Sequence, residues 1–460
     1  VGKHDEAPEQ LCMSFTGDGM LAARFRAAEF VILVEYDTPA KEQPLESALA
    51  LGQALARAVG ANPTVTGLAV TDRRRSENTH DPVRCATALA ACTDNPILIH
   101  LSGKGSDRNR IRRLFADAAS ADLRSVVAVT GDRSDQHPGR AGARRVIPYP
   151  NGYLDSVDIL RLGKTSGRRL LLGAGINPYK YNPADQYLQY YKAMRKLNSG
   201  AGFLVAQAGW DMKKLQELQW YLQMREVGVP VLARLRLLTR AEIQHIHEGF
   251  MPGVPLARTF AAMLQRESNI SAAQSLAAQL QRLALQIVGC RLLGFSGVQV
   301  AGIADSQTLD MVTDKLAEIE AQIKGYPEWL NAWNDFHSYL SFDPIPDAYY
   351  VFADLLTPER RLFNPDTCRL VDRALPEARF ADAVRALVAP LLFSTRLPKT
   401  FTRSLRAMVC RGCERTTDHL QWTFHLCPAS CPKQLVYGAC GGSDADGTCE
   451  FGHAPCFFHR

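Results

Sequence analysis

The chain has 460 residues, 46% of them apolar and 22% charged, with a formal charge of +6. That is enough apolar material to bury a full core and, at this length, to divide into one large domain and one smaller one. The basic residues, among them Arg73, Arg74, Arg75, Arg110, Arg112, Arg113, Arg144 and Arg145, are scattered with acidic residues between them, which excludes a nucleic-acid-binding stripe, and no stretch reaches the ~18 uninterrupted apolar residues of a membrane span.

The opening VGKHDEAPEQLCMSF has no apolar run after a basic start, so a cytoplasmic location is expected. Short β-branched runs then recur along the first three hundred residues: FVILVEYD from Phe30, VTGLAVTD from Val65, PILIHLS from Pro96, SVVAVTGD from Ser125, RLLLGAGIN from Arg169, GFLVAQAGW from Gly202, VPVLARLRL from Val229 and GVQVAG from Gly297. Between them lie stretches with apolar residues at helical spacing, such as ESALALGQALARAV, DRNRIRRLFADAAS and MKKLQELQWYLQMREV. The segment from Thr239 to about Val288 is long enough for more than one helix. Eight strands alternating with helices predict an α/β fold, a (β/α)8 TIM barrel over residues 1–325, with a doubly wound open sheet as the alternative. Residues 326–405 read as a small helical linker and residues 406–460 as a cysteine-rich, metal-binding C-terminal domain.

In a barrel the chemistry gathers where strands end. Here the strands end in Glu35, in Thr71 and Asp72, in His100, in Thr130, Gly131 and Asp132, in Asn177, and in Gln207. Each alone reads as a turn former or helix cap. Glu35 and His100 are harder to dismiss, because each sits inside an apolar run where an idle ionisable group costs desolvation energy. Amides, hydroxyls and carboxylates at one mouth suit a polar heterocycle, and no G-x-S-x-G elbow is present, so a cofactor that carries the chemistry is expected.

Seven of the twelve cysteines fall between Cys410 and Cys456. The other five, Cys12, Cys85, Cys92, Cys290 and Cys368, are far apart and read as free thiols of a reducing compartment. Cys410, Cys413, Cys427 and Cys431 have the spacing of a four-thiolate site. Cys440, Cys449 and Cys456, with His425 or His453, would complete a second. Zinc and an iron–sulfur cluster both suit these ligands; a cluster would make the tail an electron inlet.

The order of VEYD, AVTD, LIHLSGKGSDRNRI, VVAVTGD, RKLNSGAGFLVAQAGWD and PVLARLRLL resembles the 5,10-methylenetetrahydrofolate reductases over residues 28–320, and CPASCPK, YGACGGS and GTCE resemble the cysteine-rich domain that accompanies some of them. The resemblance implies a flavin-dependent barrel that reduces methylenetetrahydrofolate to 5-methyltetrahydrofolate, or runs the reverse oxidation. Glu35 takes the place of the general acid, a role that needs its pKa raised by burial. Asp132 takes the place of the aspartate that acts beside the flavin ring. Thr71, His100, Thr130, Gly131, Asp132, Asn177, Arg195 and Lys196 fall where the flavin is held, with FAD as the expected form and FMN as the alternative. Gln207 matches the folate-contacting glutamine. Arg234 and Arg236 share one strand face, and Arg236 is expected to meet an anion such as the folate's glutamate tail. The chain departs from the family pattern at Asp37-Thr38-Pro39 and Ala208-Gly209-Trp210, on the nicotinamide side, and at Asn177 and Gln189. The expected partners are a folate, NAD(P)H or a redox protein, and further copies of the chain in a homo-oligomer. Two other readings use the same residues: a methyltransferase that works with tetrahydrofolate and a corrinoid protein, and a non-catalytic accessory subunit. Four polar strand ends speak against the accessory subunit.

Overall fold

Alternation along a strand decides which side chains enter a barrel and which meet its helices. The computed structural model describes residues 19–73, 78–133, 153–239, 241–243, 253–352, 387, 431–452 and 454–459. In it eight parallel strands close in chain order: β1 (Val31–Tyr36), β2 (Gly67–Val70), β3 (Ile97–Ser102), β4 (Ser125–Val129), β5 (Leu171–Ile176), β6 (Phe203–Ala206), β7 (Val231–Arg236) and β8 (Gly297–Ala301). Closure is direct, with Val31 to Val34 of β1 in register with Gly297 to Val300 of β8. The open-sheet alternative is therefore set aside.

Leu33, Ala69, Leu98, Val127, Leu171, Phe203, Val205 and Leu232 point inward and form one cluster. Their neighbours, among them Ile32, Val34, Leu68, Ile99, Val126 and Leu204, point outward into the helical layer. The floor of the barrel is a short helix not foreseen from the sequence, α1 (Met20–Arg26), whose Leu21, Ala22 and Phe25 join the inner cluster. The Phe25 and Phe203 rings pack tilted by 50°, with 5.5 Å between their centroids.

The helical layer comprises α2 (Leu45–Ala61), α3 (Pro82–Ala90), α4 (Arg108–Ser120), α5 (Ser156–Lys164), α6 (Pro183–Asn198), α7 (Met212–Met224), α8 (Arg258–Ile270), α9 (Ala272–Leu292) and α10 (Ser306–Gln322). Among its described residues the segment after Thr239 thus holds more than one helix, as its length required. Asp81, Asp107, Asp155, Asn182, Asp211 and Asp305 each cap the following helix by accepting backbone N–H bonds. Many polar residues at strand–helix junctions are therefore caps.

After the barrel, α11 (Tyr326–Phe336) packs on α9, with the buried Trp329 indole N–H donating to Leu285 O at 2.7 Å. The chain then runs back over α6 and α7. Tyr349 N–H donates to Tyr181 O at 3.0 Å, and Lys214, fully buried, donates to Tyr349 O at 2.8 Å. Most of residues 353–430 lie outside the described residues, including the greater part of the expected linker.

Gly173 of β5 shows how full the inner layer is: a Cβ there would stand 2.3 Å from the Phe203 ring. Gly173→Val should lower stability by ~1–3 kcal/mol through overpacking. Calorimetry checks this, and an unchanged melting temperature would mean the layer is looser than described.

Candidate active site at the barrel mouth

The polar layer follows from the same alternation. Glu35 lies two residues after Leu33, His100 two after Leu98, Gln207 two after Val205 and Arg234 two after Leu232, so all four continue the inward face toward the strand ends. Gln299 of β8 joins them between the outward-facing Val298 and Val300.

These side chains form one hydrogen-bonded chain. Arg234 grips Glu35 with two bonds, Nε to Oε2 at 2.7 Å and Nη2 to Oε1. Gln299 Nε2 donates to Glu35 Oε2 at 2.6 Å, and its amide oxygen pairs with His100 Nε2 at 3.0 Å. Arg234 Nη1 donates to Gln207 Oε1 at 3.2 Å, which also accepts the Ala208 N–H. Burial lowers the His100 pKa, so its imidazole is neutral and donates through Nε2–H. Burial opposes the charge on Arg234, but the Glu35 carboxylate outweighs it and raises the guanidinium's pKa. Glu35 is thus buried together with an arginine of β7 that shares its site.

Above this layer is a cavity of ≈ 140 Å³ lined by Thr71, His100, Thr130, Gly131, Asp132, Asn177, Gln189, Lys196, Gln207 and Arg234. The structure therefore brings together most of the residues singled out from the sequence. Thr71 donates to Asp37 at 2.9 Å, and Thr130 faces the Ser156 hydroxyl at 3.3 Å. Asp132 is held above the ordinary carboxylate range, first by loss of hydration and then by Glu450 of the tail. Lys196 donates to Gly175 O at 2.5 Å and is pushed down to about 7 by burial and by Lys192.

Glu35, its side chain 1% exposed, does not itself line the cavity and is tied to it through Arg234; two further residues, Arg236 and Arg195, stand elsewhere. Arg236 turns to Glu242, and neither lines the cavity; Arg234 is the arginine of that strand at the mouth. Arg195 lies on the outer side of α6, its guanidinium 4.6 Å from the Tyr191 ring centre, in a groove with Arg161 and Lys164.

The tail roofs the mouth, and Cys440 and Gly441 line the cavity. Asn177 Nδ2 donates to Gly441 O at 2.6 Å and to Gly253 O at 2.7 Å. Lys180 donates to Ser443 O at 2.5 Å, and Lys192 to Gly438 O at 3.0 Å and to Asp155 at 2.9 Å. His459 meets Asp185 at 2.6 Å. The face of α6 that looks toward the mouth is thereby occupied by the chain's own tail.

For a flavin the fit is split. Gln189, 3% exposed, lines the cavity with an amide nitrogen that has no hydrogen-bond partner; a ring carbonyl or ribityl hydroxyl would satisfy it. The mouth thus fits the ring end of a flavin. Lys192 and Asp185 of α6, and Asn177 ahead of it, already bond the tail.

In the tail, burial pushes the thiols of Cys431, Cys440, Cys449 and Cys456 up, and the last three each also feel Cys431. No three of these sulfurs lie within 4.8 Å of one another among the described residues. Asp185, Cys456 and His459 do bring ligand atoms within 4.8 Å of one another. Cys410, Cys413 and Cys427 lie outside the described residues, as do His425 and His453. Glu450 and the thiol of Cys440 meet at 3.4 Å.

A closed (β/α)8 barrel with a buried acid, an arginine and a neutral histidine at its mouth defines a barrel protein with a polar site at the strand ends. The family model described as methylenetetrahydrofolate reductase matches residues 20–276, more than half of the chain, and one described as methylene-tetrahydrofolate reductase C terminal matches residues 395–460. The chain belongs to the methylenetetrahydrofolate reductase family. No curated protein matches its sequence. Among solved structures it is similar to an uncharacterized Clostridium thermocellum protein that binds two copies of 5-methyl-5,6,7,8-tetrahydrofolic acid, at 15% identity and TM-score 0.47, covering 66% of this chain and all of that one. It is also similar to Mycobacterium tuberculosis tryptophan synthase, at 12% identity and TM-score 0.35, covering 65% and 95%. Among the described residues no helix is long and apolar enough to cross a membrane.

Arg234→Met should leave the Glu35 carboxylate buried without its cation and cost ~3–5 kcal/mol, more than the charge-free double replacement Glu35→Gln/Arg234→Met. Chemical denaturation compares the two; equal losses would show that the pair is not the unit described.

Proposed function

We propose that the protein interconverts 5,10-methylenetetrahydrofolate and 5-methyltetrahydrofolate with a flavin held at the barrel mouth. The observation that carries this reading is the buried chain from His100 through Gln299, Glu35 and Arg234 to Gln207, in a member of the reductase family. A pterin is a flat array of donors and acceptors, and a carboxylate, an amide and a guanidinium at fixed spacing can address its edge.

Glu35 moves the proton. As the five-membered ring of the folate opens, its carboxyl group protonates the departing nitrogen N10 and leaves an iminium at N5. Protonated Glu35 has to release Arg234, and Gln207, already bonded to Arg234 at 3.2 Å, gives the guanidinium an alternative acceptor. Arg234 then stabilises the carboxylate that forms once the proton has gone. Gln299 and neutral His100 hold the Glu35 carboxyl in register. A bound flavin supplies the hydride that turns the iminium carbon into a methyl group. Thr130, Gly131, Asp132, Gln189 and Lys196 would hold its ring end, and the tail lying on α6 favours the mononucleotide over FAD. The tail thiols, protonated when empty because burial raises their pKa, would release those protons to water on binding a zinc ion or iron–sulfur cluster as thiolates.

Glu35→Gln should lower folate turnover by ~10²–10⁴-fold while the flavin is still reduced by its donor; stopped-flow absorbance follows both half-reactions. Loss of both together would point to a collapsed mouth and count against the role of Glu35. Flavin released by heat from the purified protein should run as the mononucleotide, and the same preparation should contain metal that Cys431→Ser and Cys449→Ser diminish. A colourless protein that still binds folate would sink the flavin reading.

A further inference from the structure

The turn after β4, Gly131 to Arg133, carries Asp132 into the mouth, and the tail grips it three times. Lys433 Nζ donates to Gly131 O at 2.6 Å. The Arg133 backbone N–H donates to Glu450 Oε2 at 2.8 Å, and the Arg133 guanidinium donates to Glu450 O at 2.7 Å. Lys433 and Glu450 are also paired with each other at 2.5 Å, their side chains 2% and 1% exposed. On the barrel side, the Tyr153 hydroxyl donates to Asp132 O at 3.2 Å, and the Lys433 ammonium lies 5.0 Å from the centre of the Tyr153 ring.

The seat of this pair is shaped on both sides. Gly131 has φ +89°, and a Cβ there would lie 2.6 Å from Ser102 Oγ and 2.7 Å from Lys104 Cβ, so the turn can neither carry a side chain nor slide toward β3. In the tail a Cβ on Gly442 would come within 2.2 Å of Glu450 Oε1. A buried lysine–glutamate pair adds little to stability that well-packed apolar residues would not supply. What it adds here is direction, because all three bonds to the barrel end on the single turn that bears Asp132.

We propose that Lys433 and Glu450 are positioning residues for the reaction: they fix the Gly131–Arg133 turn so that the Asp132 carboxylate is presented to the ligands in the mouth. The tail is then part of the catalytic unit through a contact separate from its thiols. The inference rests on reading the mouth as the folate and flavin site.

The test is a double-mutant cycle in the 460-residue protein as purified, with kcat, KM, metal content and melting temperature measured on each preparation. Lys433→Gln/Glu450→Gln removes both charges and leaves neither unpaired, while Lys433→Arg keeps the cation. The double replacement should lower kcat by about 10–100-fold with folate KM and metal content little changed, and Lys433→Arg should restore part of that loss. In an Asp132→Asn background the same double replacement should cost less than about twofold more. An equal loss in both backgrounds, a loss that tracks metal content or melting temperature, or no loss at all overturns the proposal. If the wild-type protein turns over no folate, the functional reading falls, and this inference with it.

Discussion

The grip of Arg234 on Glu35 is the interaction on which the mouth depends. It joins β7 to β1 across β8, and the strand between contributes Gln299 to the same carboxylate. A carboxylate at this depth is tolerated because three hydrogen bonds from two polar neighbours, Arg234 and Gln299, offset its desolvation. Those neighbours bring His100 from β3 and Gln207 from β6 into one network, so strands far apart in sequence act on a single acid. Below it the barrel is apolar and closed by α1, which leaves the mouth as the one end of this interior where polar groups collect among the described residues.

The second constraint is the roof. Lys180, Lys192 and Asn177 bond carbonyl groups of the tail. Each of these groups is buried, and each would leave a donor unsatisfied if the tail lifted away. Tail docking and mouth architecture are thus a single packing problem. This explains why a chain of this family carries Gln189 with a donor still open to the cavity while the cations beside it on α6 are engaged.

Much of this was legible in the sequence. All eight strands could be read because parallel strands buried on both faces give nearly continuous apolar runs, and Glu35, His100 and Gln207 were visible as polar interruptions at the ends of such runs. Gln299 gave the same signal inside GVQVAG and was passed over because that run is short and the residue sits mid-strand. The choice between Arg234 and Arg236 was not legible: both face inward, and what separates them is Glu242, which folds back onto Arg236 from the helical residues 241–243 beyond the strand. α1 was missed because seven residues leave little periodicity to find. The roof was beyond reach for a different reason. Asn177 meets Gly441 and Arg133 meets Glu450 across hundreds of residues, and no local pattern encodes a contact between two surfaces that each look complete.

The roof and the walls of the mouth belong to one polypeptide. Covalent linkage keeps the tail at a high effective concentration over its own barrel, independent of how dilute the protein is. A roof supplied by a separate subunit would titrate away on dilution and could be exchanged; this one cannot, so every barrel is made with one roof and its copy number never has to be matched. Any control over access to the mouth must then act within the chain, by loosening a docked domain and not by dissociating a partner.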